Sequence, residues 1–322
     1  MTQAMWNYDR FVSKARLYFQ RAEDHPAADE AATLWLLLGL EFLMRAPLAR
    51  VHPTLLAETS RNDSASLMHA AGFSSGSPND KIKSIGITTV CARLLQVVDG
   101  FAEVRNDAAH LINLRNSELH TADEPLGVAA ELWLPRFVRV VETICRHLGE
   151  EPTNLVGPEL MGHGRGLVQE QNERLRHEVL QRIKEAAEGY AASSTEQGGL
   201  SVASSASPSG GLFGTFAVWE LIDPDEPIRH EDTSCPACGS QADLVLQRVR
   251  ATSERIIDGQ LHRVVVYLAT GLSCPTCTLK LTGTPEIAAA GLDQQHIRTV
   301  QESLEERYLG NLEPDYDYDD YR

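Results

Sequence analysis

Four cysteines constrain this chain more tightly than any other feature. They come in two Cys-Pro-x-Cys frames, Cys235-Pro236-Ala237-Cys238 and Cys274-Pro275-Thr276-Cys277, separated by 35 residues. Such a frame sets two thiolates on one tight turn, and two frames supply the four soft ligands of a tetrahedral Zn²⁺ site. Proline after the first cysteine and Gly239 after the second suit that turn. The stretch between them contains Asp258-Gly259, a hairpin signal, flanked by the β-type runs Arg255–Ile257 and Leu261–Ala269. Any fold of this region must bring two turns, with a hairpin between them, to one point.

That layout is a zinc ribbon's. A site closed by four cysteines leaves no position for water, so the expected role of the zinc is to staple a small β-rich domain rather than to catalyse. Recognition of a protein partner by the ribbon surface is the second role this layout allows. Nothing near either frame reads as the strand–helix unit of a thioredoxin-type redox motif. The other two cysteines, Cys91 and Cys145, fall inside apolar helical patterns and read as inert core thiols.

Ahead of the ribbon, Ala191 to Gly211 is rich in Ser, Ala and Gly and reads as a flexible linker spanning about 25 Å. It divides a helical half from a β half. The expected organisation is a helical bundle over 1–150, a connecting helix over 151–190, the linker over 191–212, the zinc-ribbon domain over 213–308 and an acidic tail over 309–322. Charge follows the same division. Of the total of −16, residues 1–150 carry 15 Lys/Arg against 18 Asp/Glu, a balance of −3, and the remainder carries −13. The first half can therefore tolerate a phosphate backbone, whereas the second should repel one.

Within the bundle, Met5–Arg21, Ala27–Arg45, Thr88 to about His120 and Ala129–His147 carry apolar residues at helical spacing. The second of these is apolar nearly all round, as a central helix is, with Pro47 and Pro53 expected to end it. Gly157–Gly166 reads as a glycine-studded connection into a charged helix, Leu167–Tyr190, with one thin apolar stripe of Leu175, Val179, Ile183 and Ala187. Further on, Phe216–Leu221 and Ala242–Arg248 are β-type runs. Thr284-Pro285 opens a final helix, with Thr284 as its cap. The longest strongly apolar run, Leu34–Leu40, stops at Glu41, far short of a membrane span, and the N-terminus lacks the layout of a signal peptide. The expectation is a cytoplasmic protein without membrane contact.

The third helix carries Arg-Asn-x-x-x-His twice: Arg105, Asn106 and His110, then Arg115, Asn116 and His120. An imidazole titrating near neutral pH beside a fixed guanidinium can move protons on and off an RNA 2′-hydroxyl while a phosphate is held. With Arg105 taken as the origin of the helical wheel, Asn116 lies at about 20°, His120 at about 60°, His110 at about 140° and Arg115 at about 280°. Arg105, Asn116 and His120 thus share a face from which His110 points away. Within either copy, Arg and His are about 140° apart and do not converge on one phosphate from a straight helix. Either the helix ends near His120, as Thr121–Pro125 suggests, or a second subunit completes the site.

This segment, Leu114-Arg115-Asn116-Ser117-Glu118-Leu119-His120-Thr121 above all, resembles the motif of HEPN-domain ribonucleases. The central helix with Glu41 and the Trp133–Phe137 helix agree with that family in layout. The resemblance covers roughly residues 5–150 and implies a homodimer whose motifs meet across a two-fold axis. It also implies metal-independent RNA cleavage to a 2′,3′-cyclic phosphate and a 5′-hydroxyl, as in conditional toxins and antiviral defence effectors. On it, His120 is the general acid/base, Arg115 stabilises the phosphorane-like transition state and Asn116 orients the histidine or the scissile phosphate. The extra copy leaves Arg105 and His110 as the competing assignment. Members without activity serve as scaffolds or RNA-binding modules, so a non-catalytic dimer whose ribbon recruits a partner is the competing function. Glu41 is expected to pair either with Arg45 or with an arginine of the motif. The acidic tail, with Tyr316, Tyr318 and Tyr321, either stays solvated or imitates phosphates and bases at an arginine groove.

Overall fold

The computed structural model describes residues 6–25, 29–59, 64–73, 82–196, 228–251 and 254–303. The chain divides into two units, Met1–Gln181 with Ser193–Asp225, and Arg182–Ala192 with Glu226–Arg322.

In the first unit, α1 (Tyr8–Glu23) and α2 (Glu30–Val51) pair closely, each opened by a capping side chain: Asn7 accepts from the Asp9 N–H and Asp29 from the Ala31 N–H. α3 (Ala65–Ala70), α4 (Ile87–Val97), α5 (Phe101–His120), α6 (Ala130–Leu148), α7 (Pro152–Val156) and α8 (Pro158–Glu196) follow, and α8 belongs to this unit as far as Gln181. One continuous core holds them, centred on Phe19, Leu40, Leu43, Met44, Phe101 and Phe137. Cys91 and Cys145 lie in it, and burial pushes both thiols up to about 12, which keeps them protonated and unreactive. α2 is long and apolar enough to cross a membrane, so its apolar character extends well past the Leu34–Leu40 run; 67% of its apolar window is buried inside the bundle.

Several boundaries differ from the sequence expectation. Pro47 does not end α2; the helix carries it and stops only at Val51, ahead of Pro53. Packing on every side holds this turn together despite the missing N–H. The long third helix is two, α4 and α5, broken at Val98-Asp99-Gly100, where Gly100 takes φ of +82°. Gly157, at φ +102°, ends α7, and Pro158 opens α8. The expected glycine connection is otherwise helical. α8 runs on to Glu196, so the linker cannot begin at 191. A Cβ on Gly164 would strike Val138 Cγ2 and Leu134 of α6, so glycine is there for close helix approach.

In the second unit, β4 (Gln260–Ser273) is the central strand of an antiparallel sheet with β1 (Ile228–Ser234), β2 (Gln241–Ala251), β3 (Arg255–Ile257), β5 (Lys280–Thr282) and β6 (Gln295–Ser303). β2 and β6 flank β4 over different lengths of it, and two bulges bend the β2–β4 ladder, at Val245/Leu246 and Arg248/Arg250. The β3–β4 hairpin turns at Asp258 and Gly259, both at positive φ as a type I′ turn needs. α9 (Thr284–Ala289) starts where expected, but Gly283 is its cap residue; the Thr284 hydroxyl donates to the Ala269 carbonyl instead. The expected strand Phe216–Leu221 and the acidic tail 309–322 lie outside the described residues.

Candidate functional site

α5 presents its tandem motif in two directions. Val104, Asp107, Ala108 and Leu111 are buried, whereas Asn106, His110, Asn113 and His120 are exposed. These four, with Ser117, follow one another at four and three residues, which is a single stripe along a helix. Both histidines lie on the solvent side of α5, about 15 Å apart along its axis, whereas Arg105 and Asn116 are half-buried to one side of that stripe and His110 points away from them.

Arg115 points the other way. Its Nη2 meets Glu41 Oε2 at 2.6 Å, while Glu41 Oε1 accepts from Arg45 Nη2 at 2.8 Å. Arg45 Nη1 also donates to the Ile85 carbonyl at 3.0 Å. The Arg115 and Glu41 side chains are 13% and 20% exposed, so the triad is largely dry. Both partners expected for Glu41 are present at once. Asn116 and Arg105 are half-buried on the same helix.

His120 is the last residue of α5. Beyond it, the Thr121 N–H and hydroxyl both bond to the Ser117 carbonyl, and Thr121 Oγ1 accepts from the Asp123 N–H. The helix end expected from Thr121–Pro125 is thus formed, and His120 stands exposed at it.

The first copy has neighbours that the sequence motif did not reveal. Asp107, 8% exposed, accepts from Arg136 Nη1 at 3.0 Å and, in a fork, from Arg139 Nε at 2.7 Å and Nη2 at 3.2 Å. Arg139 Nη1 reaches Gln171 Oε1 at 3.4 Å, and Gln171 donates to the Glu131 carbonyl. His110 is one turn beyond Asp107 on α5. Partial burial of its ring and then the charge of Arg136 lower its proton affinity, with Asp107 opposing them. His110 is therefore neutral at pH 7, with a lone pair able to accept a proton.

In the second unit, the two cysteine frames form matching turns. Cys235 donates its N–H to the Ser240 carbonyl and Gly239 to the Cys235 carbonyl; Cys274 and Leu279, and Thr278 and Cys274, repeat that pattern. Gly239 and Thr278 both take positive φ, at +72° and +61°. The four sulfurs lie within 4.8 Å of one another, with Cys235–Cys277 at 3.5 Å and Cys238–Cys274 at 3.6 Å. A tetrahedron of sulfurs about 2.3 Å from a central ion has edges of about 3.8 Å, so the donor set fits a metal ion. A hydrogen bond with the Ser240 hydroxyl holds the Cys238 thiol down at about 6, whereas burial pushes Cys277 up to about 12.

Comparison with family models, with curated proteins and with solved structures finds no match. The functional reading therefore rests on these side chains alone.

Proposed function

We propose that the N-terminal bundle is a HEPN-type endoribonuclease that works as a homodimer without a catalytic metal. The observation that carries this reading is the pair of solvent-facing histidines on one stripe of α5, in a bundle whose half of the chain is near electrical neutrality. A neutral imidazole takes the proton of an RNA 2′-hydroxyl as its oxygen attacks phosphorus. The O2′–P bond forms, the P–O5′ bond breaks, and a protonated imidazole returns a proton to O5′. The products are a 2′,3′-cyclic phosphate and a 5′-hydroxyl. A second copy of the stripe, brought in by dimerisation, supplies the second imidazole.

Between the two copies, the Arg115–Glu41 ion pair supports an assignment to the first. Arg115, the expected transition-state residue, is already held by Glu41, so its role here is to lock α5 to α2. His110 becomes the favoured base and His120 the second candidate. The ribbon cysteines Cys235, Cys238, Cys274 and Cys277 are the residues that would hold a structural Zn²⁺, which ties two turns together and takes no part in RNA chemistry.

The test is labelled RNA incubated with the full chain in EDTA, followed by end-group analysis. Cyclic phosphate ends that vanish in His110→Ala are the expected result. Retention of cleavage in both His110→Ala and His120→Ala, or its absence in the wild type across several RNA classes, overturns the reading. The Arg115–Glu41 bond favours a second reading, a non-catalytic dimeric scaffold whose ribbon recruits a partner. That scaffold would show no cleavage by any variant while remaining dimeric.

A further inference from the structure

We infer that Arg136 and Arg139 of α6, set by Asp107, form a binding subsite for a phosphodiester group of single-stranded RNA beside His110. The inference rests on the ribonuclease reading of α5 and names the groups that would seat its substrate.

A buried carboxylate holds both guanidiniums in place. The Asp107 side chain is 11% exposed, while those of Arg136 and Arg139 are 38% and 30% exposed. Two positive charges against one negative leave the cluster cationic. An arginine has five N–H donors in a planar fork that matches phosphate oxygens. Arg136 uses Nη1 for Asp107 and Nε for the Leu132 carbonyl, so among the described residues its Nη2 hydrogens remain for a ligand. The forked pair of bonds that Arg139 donates to Asp107 and its contact with Gln171 fix the plane of the guanidinium. Three helices thus hold the subsite, α5 through Asp107, α6 through the arginines and α8 through Gln171. Fixed positive charge there favours an anionic ligand. Asp107 touches no substrate on this reading; it is a positioning residue.

A helix-packing role for the same ion pairs predicts stability effects and no change in RNA affinity, so binding separates the two. The probe is a fluorescein-labelled 20-nucleotide single-stranded RNA. It is titrated by anisotropy against the full-chain His110→Ala protein, which binds without cleaving, over a range of salt. Adding Arg136→Gln should weaken binding at least tenfold and flatten the slope of log affinity against log salt by about 0.7. Arg136 is the informative position because Arg139 alone still satisfies both oxygens of Asp107. Arg136→Lys keeps the charge and should recover part of the affinity. DNA of the same sequence tests phosphate recognition alone and should bind with the same dependence on Arg136. Unchanged RNA affinity and salt slope in folded Arg136→Gln overturns the subsite. If the wild type cleaves and Arg136→Gln cleaves with the same KM, the subsite falls and the ribonuclease reading stands. If binding is lost in Arg136→Gln while the wild type never cleaves, the subsite stands and the ribonuclease reading falls.

Discussion

Arg115 of the second Arg-Asn-x-x-x-His copy donates to Glu41 of α2 at 2.6 Å, sharing that carboxylate with Arg45. The arginine expected to serve chemistry is thus a link between two core helices. Replacing Glu41 by alanine strands two guanidiniums in a largely dry site. Loss of one partner from a buried ion pair costs about 3–5 kcal/mol. Urea denaturation should show a loss in that range for Glu41→Ala and a smaller one for Glu41→Gln, which keeps the hydrogen-bond acceptor.

His110 gives a pH signature. Partial burial and Arg136 depress its proton affinity, so the imidazole stays neutral below its ordinary value of 6.5. The acidic limb of the cleavage profile should therefore lie below pH 6.5. Removing the Arg136 charge in Arg136→Gln should move that limb upward, because protonated His110 no longer faces the guanidinium. Desolvation, the larger cause, remains. A limb that does not move separates Arg136 from the reacting imidazole.

The cysteine turns predict one metal ion per chain. Elemental analysis of the purified protein should find zinc at that stoichiometry, and Cys274→Ser should remove it. The ligands must be deprotonated to bind, so acid releases the ion and chelators should unfold the β unit while the helical signal persists. A metal-free protein with an unchanged β unit would refute the zinc assignment.

Glu231 and Arg298 make the β unit sensitive to acid in a second way. Glu231 lies opposite Leu244, itself opposite Leu272 of β4, whereas Arg298 lies opposite Val265. Those β4 positions are seven residues apart, about 23 Å in a straight strand, yet Arg298 Nε meets Glu231 Oε1 at 2.9 Å. The Arg298 hydrogen bond holds the Glu231 carboxyl below its usual range, with desolvation opposing and Arg229 assisting. A depressed carboxylate stabilises the fold fully above its unfolded value of about 4.3, and that contribution disappears as pH falls through the lower folded value. The stability difference between wild type and Glu231→Gln should be constant near neutrality and shrink below about pH 4.3.

Gly164 tests the reading of α8. Alanine is the better helix former by about 1 kcal/mol. At Gly162 and Gly166 a Cβ meets nothing within 4 Å, so alanine should stabilise there. At Gly164 the same methyl strikes Val138 and Leu134, and overpacking costs about 1–3 kcal/mol. Thermal unfolding should rank the Gly164→Ala variant below the other two.

Local chemistry made much of this protein legible from residues alone. The cysteine frames carry their own turn geometry, Asp258-Gly259 its own hairpin, and the apolar periodicities of α1, α2 and α6 their own helices, because each depends on neighbours a few positions away. What the sequence could not settle were effects of distant packing. Pro47 and the glycines of α8 are helix breakers by propensity, and burial against other helices overrides that at Pro47 and Gly164. Gly100 was a missed local signal, since the Asp99-Gly100 pair is turn chemistry. From sequence the second copy of the tandem motif is the stronger one, by its helix end and its flanking residues. What only the tertiary structure decided is which carboxylate each arginine reaches: Glu41 holds Arg115 against the core, and Asp107 sets Arg136 and Arg139 beside His110.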